Sequence, residues 1–143
     1  MPKVDKVVFL KNPNEILEQL IKNFIKENEL NRRVQLDQGV YWEEPLVGFA
    51  SGMDPLFFEY KTVIGPFHQT PREIIASALR EKGQPLPFSE IEQISVISWV
   101  LPAAEDVRKS NRKENRFPSK RWAYTKDHGE ACNTALRKHV ATF

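Results

Sequence analysis

Residues 94–101 read Ile-Ser-Val-Ile-Ser-Trp-Val-Leu, and Pro102 ends the run. The run is rich in β-branched residues and has no charge, which is typical of a strand covered on both faces. We therefore predict an α/β fold, with α+β as the alternative, in which a mixed sheet has residues 94–101 at its centre. Side chains that leave such a strand are held rigidly yet reach solvent, where α/β proteins place binding groups.

A basic stretch with interleaved aromatic residues follows this strand. From Asp106 to Lys126 the chain has eight Lys or Arg residues and two carboxylates, whereas the rest has more carboxylates than cations. Cationic and amide donors beside Phe117 and Trp122 suit phosphates and flat rings. The alternative is a loop pinned by its aromatic residues, with its cations in water. The candidate binding residues in and just after this stretch are Arg108, Asn111, Arg112, Trp122, Glu130 and Asn133.

Apolar residues paired every four positions predict helices over 14–29, 71–82 and 128–142 that pack on the sheet. The first follows an Asn cap at residues 12–14, and the third follows the cap-like spacing of Asp127 and Glu130. Cys132 lies on the apolar stripe of the third helix, which favours a buried side chain over a nucleophile.

The second helix has a complete start signal. Thr70 can cap it, Pro71 takes its first position, and Glu73 can reach back to the cap, while Gly83 ends it. The predicted buried stripe consists of Ile74, Ile75, Ala78 and Leu79. Because the first N–H groups of a helix attract anions, His68 and Arg72 are candidate anion-binding residues; a surface loop with a solvated histidine is the alternative.

Two other segments leave alternatives open. Residues 3–10 fit a short strand or a mobile lead-in. Residues 39–50 fit one or two strands, with Pro45 as a break, and Tyr41 and Trp42 are either core aromatics or stacking surfaces for a planar ligand.

Length and composition set the class. A chain of 143 residues fits one domain, and no apolar run approaches a membrane span, so we expect a cytoplasmic protein without a membrane partner. The single cysteine and three scattered histidines predict no metal site. The last helical pattern has no stop signal, which favours residues 1–143 as the N-terminal part of a longer chain.

Scattered positions over residues 56–143 resemble the N-terminal half of iron–sulfur proteins related to epoxyqueuosine reductase. The stretches that carry the resemblance are YKTVIGPFHQTP at 60–71 and ISWVLP at 97–102, followed by single matching residues. The matching positions are Tyr60, Gly65, Pro66, His68, Thr70, Pro71, Leu101, Pro102, Arg108, Asn111, Arg112, Pro118, Ser119, Trp122, Gly129, Glu130, Asn133, Arg137 and His139.

The resemblance implies an α/β domain that binds cobalamin, with iron–sulfur clusters in a following ferredoxin-like region and with a modified tRNA base as substrate. This chain has one cysteine, so those clusters would lie in a region that it does not contain. The family's catalytic carboxylate matches no position here, and the domain is expected not to be catalytic by itself. The alternative from the residues alone is a stand-alone module that binds nucleic acid, such as tRNA, or another anionic ligand.

Overall fold

A computed structural model describes residues 12–91 and 93–142, so the prediction for residues 3–10 lies outside the described residues. The chain contains helices α1 (Pro13–Glu27), α2 (Leu56–Val63), α3 (Pro71–Glu81), α4 (Glu105–Asn111) and α5 (Lys120–Val140). Strands β1 (Leu46–Ser51) and β2 (Ser95–Val100) form a two-stranded antiparallel sheet. The predicted α/β class is confirmed.

The chain divides into two compact units. The described residues of the first are 12–47 and 99–142, and the second is Gly48–Ser98. The prediction of one domain stays a prediction. Each strand begins in one unit and ends in the other.

The strand β2 is less covered than its composition predicts. Three of its six residues are exposed and three are half-buried, and Val100 is 58% exposed. In the part of the chain that the structure describes, β1 is its one neighbouring strand. Strand formation from this β-branched run is confirmed, whereas coverage on both faces is not observed.

Helix α1 packs as its stripe predicts, with Ile21 and Ile25 buried. The predicted Asn cap is wrong, because the backbone of Asn12 (φ −136°, ψ 62°) is not extended and its side chain makes no cap hydrogen bond. Asn28 instead accepts from the Leu30 N–H at 2.9 Å and caps the short 3₁₀ turn Glu29–Asn31 that follows.

Helix α3 confirms its start signal and contradicts its predicted stripe. Thr70 and Glu73 form a complete capping box, and Gly83 has the positive φ of 69° expected after the helix end. No residue of α3 is buried, and Ile74 is 52% exposed. Capping depends on neighbours in the chain, whereas burial depends on elements that the periodicity does not reveal.

The predicted loop after Pro102 contains two helices. Arg108 and Asn111 lie on α4, Arg112 follows its last residue, and α5 begins at Lys120, not near Asp127. The observed cap is Ser119, whose hydroxyl accepts from the Trp122 N–H at 3.2 Å. The actual connection is therefore residues 112–119, which we call the basic loop.

A wholly buried arginine ties α4 and α5 to the segment that follows α1. Arg33 donates from Nε to Asp37 at 2.9 Å and from its other nitrogens to the Val40 carbonyl and the Asp106 carboxylate. Asp37 also accepts from Arg121 at 2.6 Å. This network satisfies a buried cation that would otherwise be costly.

Candidate functional site

The predicted cationic residues fall into two groups. Three of them are already paired within the first unit: Arg108 with Glu43 at 3.1 Å, Lys109 with Glu105 at 2.9 Å, and Arg121 with Asp37 at 2.6 Å. Their charge is therefore partly neutralised by the protein itself. Arg108 is a predicted ligand-binding residue, and its ion pair with Glu43 gives it a structural role as well.

Four of the five remaining cations form an exposed surface on and beside the basic loop, and the fifth, Lys126, lies over the ring of Trp122. None of the four has an ion pair among the described residues, and all are exposed; we call them the basic surface: Arg112, Lys113, Arg116 and Lys120. Aromatic rings accompany it, because Arg116 lies 5.3 Å from the ring of Phe117 and Lys120 lies 5.9 Å from the ring of Tyr124. Phe117 is 69% exposed. Charge and ring faces are thus presented together, as phosphate-bearing ligands require.

Trp122 and Asn111 hold this region in place. Trp122 is half-buried in the first turn of α5, with Lys126 lying 5.2 Å from its ring. Asn111 accepts from the Ser119 N–H at 2.9 Å, and the hydroxyls of Ser110 and Ser119 are 2.9 Å apart. The Asn111 side-chain carbonyl closes the basic loop, and its predicted role in ligand binding receives no support from this contact.

His68 and Arg72 lie in the second unit. Arg72 donates to the Phe88 carbonyl and its guanidinium carbon lies 4.0 Å from the Phe88 ring centre, while His68 packs edge-on against Tyr60 at 5.4 Å. The position for an anion at the start of α3 is taken by Glu73, which accepts from the Thr70 N–H at 2.8 Å. This arrangement gives no support to the predicted anion site.

The hydrogen bond from the Thr70 backbone is the main cause of a lowered Glu73 pKa, and Lys61 at 2.9 Å adds to it. The carboxylate is therefore charged at neutral pH and opposes a second anion at the same helix end.

Glu130 and Asn133 belong to an open cleft of about 320 Å³ in the first unit. We call it the tryptophan cleft, and its lining residues are Trp42, Trp99, Leu101, Glu130, Asn133 and Arg137. Two indoles and a leucine supply apolar surface. The polar groups come from Glu130, Asn133 and Arg137, which lie on one face of α5. Such a combination is typical of a site for a flat organic ligand.

The polar groups of this cleft are linked to one another. Asn133 accepts from the indole N–H of Trp99 at 3.1 Å and donates to Glu130 at 3.2 Å, and Arg137 donates to Glu130 at 2.6 Å. Glu130 and Arg137 have side chains that are 63% and 57% exposed, so both keep hydrogen-bonding capacity for a ligand. The cleft has no net charge from its lining residues, which favours a neutral or zwitterionic ligand.

Trp42 is seated by Gly129 of α5. Its indole N–H donates to the Gly129 carbonyl at 3.1 Å, and a Cβ at position 129 would lie 2.5 Å from its ring. Asn31 clamps the backbone of Trp42 from the other side, accepting from its N–H at 2.9 Å and donating to its carbonyl at 3.0 Å. The wall of the cleft is therefore held rigidly.

The single cysteine of the chain, Cys132, is not among the lining residues of this cleft. Cys132, the nearest thiol along α5, is completely buried, and burial raises its pKa to about 11. Among residues 12–91 and 93–142 no group of three metal-ligating side chains occurs. The predicted role of Cys132 as a buried apolar residue is confirmed.

The tryptophan cleft is small. Its volume of about 320 Å³ lies at the lower end of the roughly 300–1,000 Å³ of small-molecule sites, and its polar lining groups are a carboxylate, an amide and a guanidinium.

Three lining residues were not among the candidate binding residues: Trp99, Leu101 and Arg137. Trp42 had two open interpretations, a core aromatic or a stacking surface, and it lines the cleft. The spacing of Glu130, Asn133 and Arg137, at i, i+3 and i+7, was a usable signal, since it places all three on one helix face. No local signal connects Trp42 or Trp99 to that face.

Comparisons with protein-family models, curated proteins and solved structures gave no significant match. Among the described helices, none is both long and apolar enough to cross a membrane. The molecule is therefore characterised by its class, an α/β protein with an aromatic-walled polar cleft and a separate basic surface.

Proposed function

We propose that this chain is a cofactor- or substrate-binding domain of an iron–sulfur redox protein resembling epoxyqueuosine reductase. The observation that supports this most is the composition of the tryptophan cleft. Leu101, Glu130, Asn133 and Arg137 all carry the sequence resemblance and all line this one cleft. If these residues matched the family only because they stabilise the fold, they would not be expected to line the same open, polar cavity.

In this proposal each group of the cleft has a binding task. Trp42 and Trp99 offer apolar surface to a flat ring, Glu130 accepts hydrogen bonds, and Arg137 donates them. A bound cobalamin supplies one-electron redox chemistry at its cobalt ion. The chain itself binds and orients, because electrons would come from clusters in a region that it does not contain.

A cobalamin titration followed by visible absorbance tests the proposal. We expect a saturable spectral change for the wild-type chain and a binding constant roughly tenfold weaker or more for Glu130→Ala, on the scale of about 1.5–3 kcal/mol for a hydrogen bond to a charged group. Glu114→Ala removes an exposed carboxylate of the basic loop and is the matched control. No spectral change at high micromolar cofactor, or equal binding by Glu130→Ala and wild type, would contradict the proposal.

A second candidate function, a stand-alone nucleic-acid or phosphate-binding module, is favoured by the basic surface. Four exposed cations without ion pairs accompany the rings of Phe117 and Tyr124 there. If all four cations contact phosphates, the log–log dependence of affinity on salt should have a slope of about −3 to −4, depending on whether the ligand is single- or double-stranded.

Fluorescence anisotropy with labelled RNA at several salt concentrations measures this slope. Arg112→Ala should reduce its magnitude by about one and weaken binding by roughly 1.5–3 kcal/mol, without changing stability. Lys109→Ala, whose charge is already paired with Glu105, should do much less. Binding that ignores salt, or that both variants leave unchanged, would remove this candidate.

Trp122→Ala separates packing from stacking at the edge of the basic surface. If the Trp122 ring packs in the core, Trp122→Ala should lower the free energy of unfolding by about 3–5 kcal/mol. If the ring stacks on the ligand instead, Trp122→Ala should weaken ligand binding more than it lowers stability.

A further inference from the structure

A second cleft of about 340 Å³ lies in the first unit, between α1 and the segment that precedes β1. We call it the α1 cleft. Its apolar surface comes from Ile25, Val40 and Trp42, and its remaining lining residues are polar or charged. Neither the sequence motifs nor the proposed function uses it.

The α1 cleft is held in shape by buried and bridging contacts. Asn31, which is 3% exposed, makes three hydrogen bonds: its side chain donates to the carbonyls of Ile25 and Trp42 and accepts from the Trp42 N–H. Lys22 bridges Glu18 and Glu44, at 2.9 Å from each. A cleft with walls fixed in this way does not have to be ordered by its ligand.

The lining of the α1 cleft has a net positive charge, because it contains three cations (Lys22, Lys26 and Arg32) and two carboxylates (Glu43 and Glu44). Lys22 is shared between Glu44 and Glu18, and Glu43 accepts from Arg108 at 3.1 Å and from the Glu105 N–H at 2.6 Å. Each of the two carboxylates therefore already has a cation beside it.

Lys26 and Arg32 also line the cleft, and neither has an ion pair among the described residues. Both residues are exposed. Two free cations beside an apolar wall attract an anion that carries a flat or apolar group.

We propose that the α1 cleft binds a small aromatic phosphate ester, with its phosphate between Lys26 and Arg32 and its ring against Trp42. The volume suits one such molecule, since about 340 Å³ is close to the lower bound of small-molecule sites. A free mononucleotide and the phosphorylated end of a strand share this chemistry. The site shares Trp42 with the tryptophan cleft, and all of its other lining residues are different.

Titration of the whole chain with AMP, adenosine and inorganic phosphate tests the inference, with calorimetry for affinity and ¹⁵N-resolved NMR for location. AMP should bind at least about tenfold more tightly than adenosine or inorganic phosphate, because the binding free energies of the ring and phosphate contacts add. The amide signals of Lys22, Lys26 and Asn31 should shift. A 5′-phosphorylated trinucleotide in parallel distinguishes a strand end from a free mononucleotide.

Lys26→Ala and Arg32→Ala should each weaken AMP binding by about tenfold, the scale of one lost charged hydrogen bond. Lys138→Ala, which removes an exposed cation of α5, is the matched control and should leave AMP binding unchanged. Urea midpoints confirm that the variants fold.

The inference is overturned if AMP does not bind at millimolar concentration, if adenosine binds as tightly as AMP, or if both cation variants bind like wild type. Glu130→Ala should leave AMP binding intact, and Lys26→Ala should leave the cobalamin titration intact. Failure of this site and failure of the proposed function are therefore distinguishable.

Discussion

Replacing Gly129 with Ala should destabilise the protein, although alanine is the better helix former. Gly129 is buried in the middle of α5, and an added Cβ would lie 2.5 Å from Cζ2 and 2.9 Å from Cε2 of Trp42. The indole would have to move away from α5 and would lose its 3.1 Å hydrogen bond to the Gly129 carbonyl.

Two opposing effects set the size of the change. Ala gains about 1 kcal/mol over Gly in a helix interior. Overpacking costs about 1–3 kcal/mol, and a lost hydrogen bond costs about 0.5–1.5 kcal/mol more. We therefore expect Gly129→Ala to lower the free energy of unfolding by about 2 kcal/mol.

The sign should reverse when the ring is absent. In a Trp42→Ala background the three nearest atoms to the added methyl group are gone, since all belong to the Trp42 ring, and Gly129→Ala should then stabilise the protein by up to about 1 kcal/mol. The difference between the two backgrounds, about 2–3 kcal/mol, is the coupling between the two positions. Urea unfolding of the four proteins of this cycle, followed by far-UV circular dichroism, measures it. Stabilisation by Gly129→Ala in the wild-type background would refute the reasoning.

Three further changes test the buried groups. Arg33→Met should cost about 1–3 kcal/mol in urea unfolding, because the Val40 carbonyl loses its donor and Asp37 and Asp106 keep only Arg121 as a neighbouring cation. Arg32→Met, at an exposed neighbouring position, should change stability by less than about 0.5 kcal/mol, and similar effects of the two would contradict the Arg33 network. The hydrogen bond from Arg33 is the main cause of a strongly lowered Asp37 pKa. The charged Asp37 therefore stabilises the fold above the unfolded-state pKa of about 4, and the free energy of unfolding should decline as the pH falls below that value. The decline should be smaller in Asp37→Asn. Burial raises the pKa of Cys132 to about 11, so native protein at pH 8 should react with a thiol reagent far more slowly than protein unfolded in urea.

The sequence predicted some helix caps and apolar stripes correctly, where these features depend only on residues a few positions apart in the chain. The start of α3 is an example, since Thr70, Pro71 and Glu73 complete their contacts within one helical turn. The stripe of α1 is another, because apolar residues at four-residue spacing share a face whatever they pack against. The three polar residues of the tryptophan cleft on α5 were also within reach of spacing alone.

Only the tertiary structure decided between competing local signals and brought distant residues together. The spacing of Asp127 and Glu130 predicts a helix start there, yet the helix begins at Lys120 and has Gly129 in its interior, where Trp42 packs against it. Likewise, nothing near Arg33 in the sequence indicates that Asp106 completes its buried ion pair. Caps and stripes arise from interactions over a few residues, whereas burial, ion pairing and cavity walls are set by contacts across the fold, to which sequence spacing gives no guide.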